Sequence, residues 1–168
     1  MKYFVVSLLL IFLSLGSSLN VMFQVYSADE ASVTATVTVQ NISVSVSDGT
    51  VTYGTLAVNT SAGTNGSDTQ SATNDGNVTA DLNIRGQNTA AWTLAGTVGA
   101  NQYVHRFCTT SCASPPTSYT ALTTSYQTLA SGVTATNSQT FDLYITTPTS
   151  SSSYVAQSVD VTVQAVLP

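Results

Sequence analysis

The residue types that could carry chemistry are few: Cys108, Cys112, the single histidine His105, and eight acidic residues, scattered singly apart from the adjacent Asp29 and Glu30. Cys108 and Cys112 enclose only Thr109, Thr110 and Ser111, and in an exported chain such a pair reads as a disulfide across a tight loop. The loop is short, so its effect on the unfolded chain is modest, about 2 kcal/mol. A redox pair needs the two-residue spacing and the helix N-terminus that lower a thiol pKa. Haem attachment needs a His after the second cysteine, and zinc needs more ligands than His105 alone. A Ser-His-Asp arrangement around His105 has its raw materials, as any Ser-rich chain does, but no nucleophile elbow. His105 is therefore expected to be a partly exposed strand residue. No pair of carboxylates is placed for glycoside hydrolysis. Asp68, Asn74, Asp75 and Asn77 could offer oxygens to calcium, but their spacing matches no defined calcium loop, and NDGN reads as a turn. The residues give no catalytic, cofactor-binding or metal site, and the chain is not read as an enzyme.

Composition limits the partners. The formal net charge is -5, with 7% charged and 43% apolar residues in 168. Beyond Lys2 the only cations are Arg85 and Arg106, too few for the basic surface that nucleic acid requires. Thr, Ser and Val prevail where a helical protein would use Glu, Lys and Arg, which favours a pleated, all-β chain.

Met1 and Lys2 precede YFVVSLLLIFLSL, an apolar run of about thirteen residues, shorter than the ~20 of a membrane span. It reads as a signal peptide over 1–27, cleaved after Ser27 or Ala28. An uncleaved anchor is the competing reading, because residues 3–26 carry no charge. A type IV pilin helix is a third, opposed by Gly16-Ser17 and Asn20 within the run. After leader removal no stable membrane insertion is expected.

The elements around these residues are set by SVTATVTVQNISVSVSDGTVTYGTLAV, from Ser32 to Val58. Apolar and hydroxyl residues alternate with period two, as in strands with one buried face. Val33, Ala35, Val37 and Val39 keep odd phase, whereas Ile42, Val44 and Val46 keep even phase. A one-residue slip sends every side chain to the other face, so Gln40-Asn41 is a bulge, a bend, or a seam between strands with different partners. Asp48-Gly49 predicts a two-residue hairpin that sets Val46 against Val51 and Val44 against Tyr53. Gly54 precedes another change of phase.

Residues 59–76 have no apolar period and read as a long surface loop or paired turns. Strands are expected at Val78–Ile84, at Trp92–Leu94 with Trp92 in the core, at Tyr103–Phe107, at Phe141–Ile145 and at Val159–Leu167. Residues 117–132 read as a loop with a short strand near Tyr126. The result is an antiparallel β-sandwich, jelly-roll or Ig-like, of roughly eight or nine strands. Asn41, Asn59, Asn65 and Asn77 begin N-glycosylation sequons, a number expected by chance in so Ser- and Thr-rich a chain.

The order of leader, odd-phase strand over 28–40 and charge-poor sandwich over 41–168 resembles the TasA/camelysin-type biofilm fibre subunits and the archaeal bundling pilins. The likeness is carried by the Ser32–Val58 stretch and, more faintly, by GNVTADLNIRG. It implies a subunit of an extracellular filament that polymerises with copies of itself, giving its N-terminal strand (Val33, Ala35, Val37, Val39) to a neighbour's sheet. The alternative is a monomeric or membrane-tethered surface domain that binds carbohydrate or a protein partner.

Overall fold

A computed structural model describes residues 29–168, so the leader assigned to 1–27 lies outside the described residues. Thr38–Pro168 forms one compact unit. Its described residues contain ten strands and no helix, divided between two sheets, a sandwich-like all-β arrangement. The strands are β1 (Val44–Val46), β2 (Ser61–Gly63), β3 (Gln70–Asn74), β4 (Ala80–Arg85), β5 (Thr93–Leu94), β6 (Gln102–Cys108), β7 (Thr120–Ala121), β8 (Gln127–Val133), β9 (Ser138–Thr146) and β10 (Thr162–Val166).

The sheets are unequal. One has seven strands, along β1-β3-β9-β6-β5 with β2 on β9 and β7 on β6; the other has three, in the order β10-β4-β8. All pairs are antiparallel except β5 with β6, where Thr93 lies opposite Gln102 and Leu94 opposite Tyr103 in parallel register. The expected alternations hold in β4, which buries Ala80, Leu82 and Ile84, and in β9, which buries Phe141, Leu143 and Ile145. Leu82, Ile84, Phe141, Leu143 and Ile145 meet Tyr103, Phe107, Leu122 and Leu129 in a single core. Each large aliphatic side chain buried there contributes about 1.5–3 kcal/mol. Trp92 is only half-buried at the margin of this core; Tyr103, fully enclosed, takes the central place expected of Trp92. The difference lies in the neighbours, since Tyr103 is carried by a long interior strand and Trp92 by the approach to a two-residue edge.

Three other expectations are corrected. Residues 59–76 are not one loop: they hold β2 and β3, and β3 turns Gln70, Ala72 and Asn74 inward. Two of those three are polar, so the buried face leaves no apolar period. Asn74 is tolerated there because its side chain is fully bonded: Nδ2 donates to the Val78 and Val133 carbonyls at 2.8 and 2.9 Å, and Oδ1 accepts from the Gly76 N–H at 3.0 Å. These bonds tie the turn between the sheets to the end of β8. Residues 117–132 likewise contain most of β8. Its register against β4 runs Ala80 to Val133, Leu82 to Ala130 and Asn83 to Thr128, so extra residues on β8 break period two.

The Asp48-Gly49 hairpin does not form. Both residues take the predicted left-handed conformation, with φ 64° and 68°. Yet β1 pairs with β3 (Val44 with Asn74, Val46 with Ala72), and residues 50–58 run on instead of folding back. The turn chemistry was local; the partner was chosen by the sheet. The seam at Gln40-Asn41 is where pairing begins: Asn41 donates its N–H to Asn77 Oδ1 at 2.8 Å, and Asn77 donates its N–H to the Asn41 carbonyl at 3.1 Å.

Candidate functional site

The unequal sheets leave a long groove of about 870 Å³ beside β10. Its floor is the inner face of the larger sheet, with Val46, Phe141, Leu143 and Ile145. Residues 50–58 form one wall and residues 153–161 the other. Both walls are strand-like in sequence. Val51 and Tyr53 turn inward between exposed neighbours, as do Val159 and Val161, which continue into β10. Neither wall belongs to a ladder, and residues 50–58 and 153–161 make no backbone–backbone hydrogen bond to any described residue. β10 itself bonds only to β4, which leaves its other edge open among the described residues.

Polar side chains punctuate the apolar floor. His105, on β6 opposite Ile145, is 1% exposed, and its Nε2 lies 2.8 Å from the Tyr53 hydroxyl of one wall. Its Nδ1 has no hydrogen-bond partner among the described residues. Burial pushes the imidazole pKa down to about 4, and the Val159 backbone of the opposite wall acts in the other sense. His105 is thus neutral near pH 7 and fully buried, correcting the expectation of a partly exposed strand residue; with odd parity in β6 it joins Tyr103 and Phe107 on the core side. Gln70 on β3 is also buried. Its Nε2 donates to Asp68 Oδ1 at 2.7 Å, while Oε1 is left unpartnered. Burial pushes the Tyr53 and Tyr103 hydroxyls up, with smaller contributions from Asp68 at Tyr53 and Asp160 at Tyr103, so both stay neutral. At the mouth, Trp92 donates its indole N–H to Ser151 Oγ at 2.9 Å.

Two rims outside any ladder over an apolar floor can accept an added strand, whose N–H and C=O groups pair with theirs while alternate side chains fill the floor. Residues 50–58 and the segment 31–40 match in length, each about 30 Å when extended at ~3.3 Å per residue.

The residues singled out from the sequence fall in different places. Val33, Val37 and Val39 are 93%, 91% and 81% exposed, and Ala35 is exposed too. Residues 31–40 belong to no strand; the Val39 carbonyl accepts from Asn77 Nδ2 at 2.8 Å. Cys108 and Cys112 form a disulfide with Cα atoms 5.7 Å apart, away from the groove lining. The four sequon asparagines are all exposed, but two are engaged: Asn65 Nδ2 donates to Asp142 Oδ2 at 3.1 Å, and Asn77 bridges Asn41 and Val39. The oxygens of Asp68, Asn74, Asp75 and Asn77 do not converge on one point: Asn74 faces inward and Asp68 accepts from Gln70. Asp142 is a buried carboxylate with a local structural use. It accepts from Thr64 Oγ1, Asn65 Nδ2 and Thr69 Oγ1, which pins the β2–β3 connection onto β9.

Tyr53, Gln70, His105 and the 153–161 wall were not legible as one site. The wall had a signal in the period-two run Val159, Val161, Val163, but that run gives no hint that half of it lacks a partner. Comparison of the chain with family models, with curated proteins and with solved structures gives no match.

Proposed function

We propose that this protein is the subunit of an extracellular filament that grows head to tail, each copy placing its N-terminal segment into the groove of the next. The single observation that carries this reading is the pair of walls, 50–58 and 153–161, which belong to no ladder and make no backbone–backbone hydrogen bond to a described residue. Such edges are normally covered or blunted by charge; here they flank a floor of Phe141, Leu143 and Ile145. The occupant that suits them is an uncharged strand with small apolar residues at every second position. Residues 31–40 of a second copy have that composition, and their valines are almost wholly exposed. Burying Val33, Ala35, Val37 and Val39 stabilises the junction by on the order of 4–8 kcal/mol before ordering costs. A contact between two different surfaces of identical subunits does not close on itself, so it propagates. The disulfide and the charge-poor composition suit a secreted, cell-surface location, and adhesion or biofilm cohesion is the role such a fibre serves.

Negative-stain microscopy of protein lacking the leader is the test. Filaments are the expected result, and deletion of residues 29–37 is expected to abolish them while the sandwich still folds. Isolated particles at high concentration, with or without that segment, would instead favour a solitary surface domain.

A further inference from the structure

We propose that Asn77 is a positioning residue that keeps the N-terminal strand out of its own groove, so that the strand fills a neighbour's instead. This rests on the groove being the strand acceptor. Three hydrogen bonds converge on Asn77. Its Oδ1 accepts the Asn41 N–H at 2.8 Å, its own N–H donates to the Asn41 carbonyl at 3.1 Å, and its Nδ2 donates to the Val39 carbonyl at 2.8 Å. These bonds prolong the line of β1 toward the N-terminus. Val44 pairs with Asn74, Asp75 donates its N–H to the Ser43 carbonyl at 3.0 Å, and Asn41 then meets Asn77 in the same antiparallel register. The turn that carries Asn77 is fixed from the core: the buried Asn74 accepts from the Gly76 N–H and donates to the Val78 carbonyl. Gly76 permits the close approach, since a Cβ there would overlap the Asn41 carbonyl oxygen.

The clamp lies outside the groove: Val46 lines it, but residues 39–44 and 74–77 do not. A chain held at Val39 that turned back would spend about seven residues, roughly 23 Å at ~3.3 Å each, to draw level with Val46. Those are residues 32–38, so Val33, Ala35 and Val37 would be used up on the way. Released as far as Ser43, the same chain needs only about three residues for the return, and all four apolar positions reach the floor. Magnitudes decide which arrangement wins. A tethered strand has an effective concentration of about 1 mM, roughly a hundredfold advantage over a neighbour's strand at ~10 μM. Three hydrogen bonds, each favouring the clamped chain by roughly two- to tenfold, offset that advantage by about 10- to 1,000-fold. The clamp is thus of the size that turns a self-filling monomer into a polymerising subunit.

The test places Thr36→Cys on the strand and Thr52→Cys on the wall, both exposed positions, in protein lacking the leader, and joins them with a bis-maleimide at ~10 μM subunit. Cys108 and Cys112 are held in their disulfide. With Asn77 intact the links are expected between chains, as a ladder of multimers on a reducing gel. In Asn77→Ala they are expected mostly within one chain, and filament mass should fall by roughly four- to a hundredfold, the loss of two bonds. Asn77→Asp keeps the acceptor for Asn41 and loses only the donor to Val39, so it should fall between. A second variant inserts about ten Gly and Ser residues between Val39 and Gln40, ~33 Å when extended, with the clamp untouched. It too should link within one chain, and it decides the matter if Asn77→Ala does not fold. The proposal is overturned if the insertion variant or folded Asn77→Ala keeps the parent's ladder, or loses it without gaining the intrachain link. A parent linked mostly within one chain overturns it as well. A parent with no link of either kind is a different failure, and it removes the strand-acceptor reading beneath.

Discussion

At β4 the small sheet is closed: Leu82 and Ile84, with Leu129 of β8 beside them, are buried in the core, and the β4 backbone is paired on both sides, by β10 and by β8. Along the opposite flank the same sheet stops at β10, and the inward residues Val159, Val161 and Val163 reach only half-burial over a groove. Both flanks alternate apolar with polar residues: Ala80, Leu82 and Ile84 along β4, and Val159, Val161 and Val163 leading into β10. What separates them is pairing: β4 is bonded on both sides, whereas residues 153–161 join no ladder. Stability therefore resides in the closed flank, and the open flank is free to take a partner.

That contrast can be broken by experiment. The largest effect on folding is expected from Leu82→Ala, which leaves a cavity where the side chain is fully enclosed. Urea unfolding should show a loss of about 2–5 kcal/mol, and a loss below 1 would mean that the closed flank is not the seat of stability. Next comes pH. His105 titrates at about 4 in the folded chain against 6.5 when unfolded, so below pH 6.5 the unfolded state binds the extra proton. Its contribution is complete above pH 6.5 and drains away as pH falls to about 4, on the order of 3 kcal/mol in all. His105→Gln should flatten the unfolding free energy measured across that window.

The double replacement Cys108→Ser with Cys112→Ser should cost about 2 kcal/mol, because the closed loop is small. Thermal melts would reveal a larger role if the mutant fails to fold at room temperature. The smallest effects on folding are expected from Val37→Asp and Val161→Asp. The first is exposed and should change stability by no more than about 0.5 kcal/mol; the second is half-buried on the groove wall and should cost little more. Both should abolish filaments. Mixed together, subunits with a spoiled strand and subunits with a spoiled groove should form pairs and nothing longer, as read by light scattering. Long polymers from the mixture would contradict a head-to-tail junction.

Much of the sandwich was legible in the residues. Ala80, Leu82 and Ile84, or Phe141, Leu143 and Ile145, announce a strand because each inward position is apolar and each strand is regular. β3 was hidden because Gln70 and Asn74 occupy inward positions and are made tolerable by bonds to distant backbone. β8 was hidden because its bulges against β4 scramble the alternation. For the groove, the odd-phase run at Val33–Val39 and the seam at Asn41 were readable, but no local pattern identifies the edges they suit.

The sequence by itself determined the strand-forming alternation, the left-handed turn at Asp48-Gly49, the short disulfide loop and the scarcity of charge, since each depends on residues close together along the chain. Only the tertiary structure decided that Val44–Val46 pairs with β3 in place of residues 50–58, that His105 is buried with one nitrogen unpartnered, and that residues 50–58 and 153–161 face each other across an uncovered floor. Those outcomes turn on competition between distant backbone edges for the same partners, and hydrogen bonds between such edges carry no signature in the side chains that flank them.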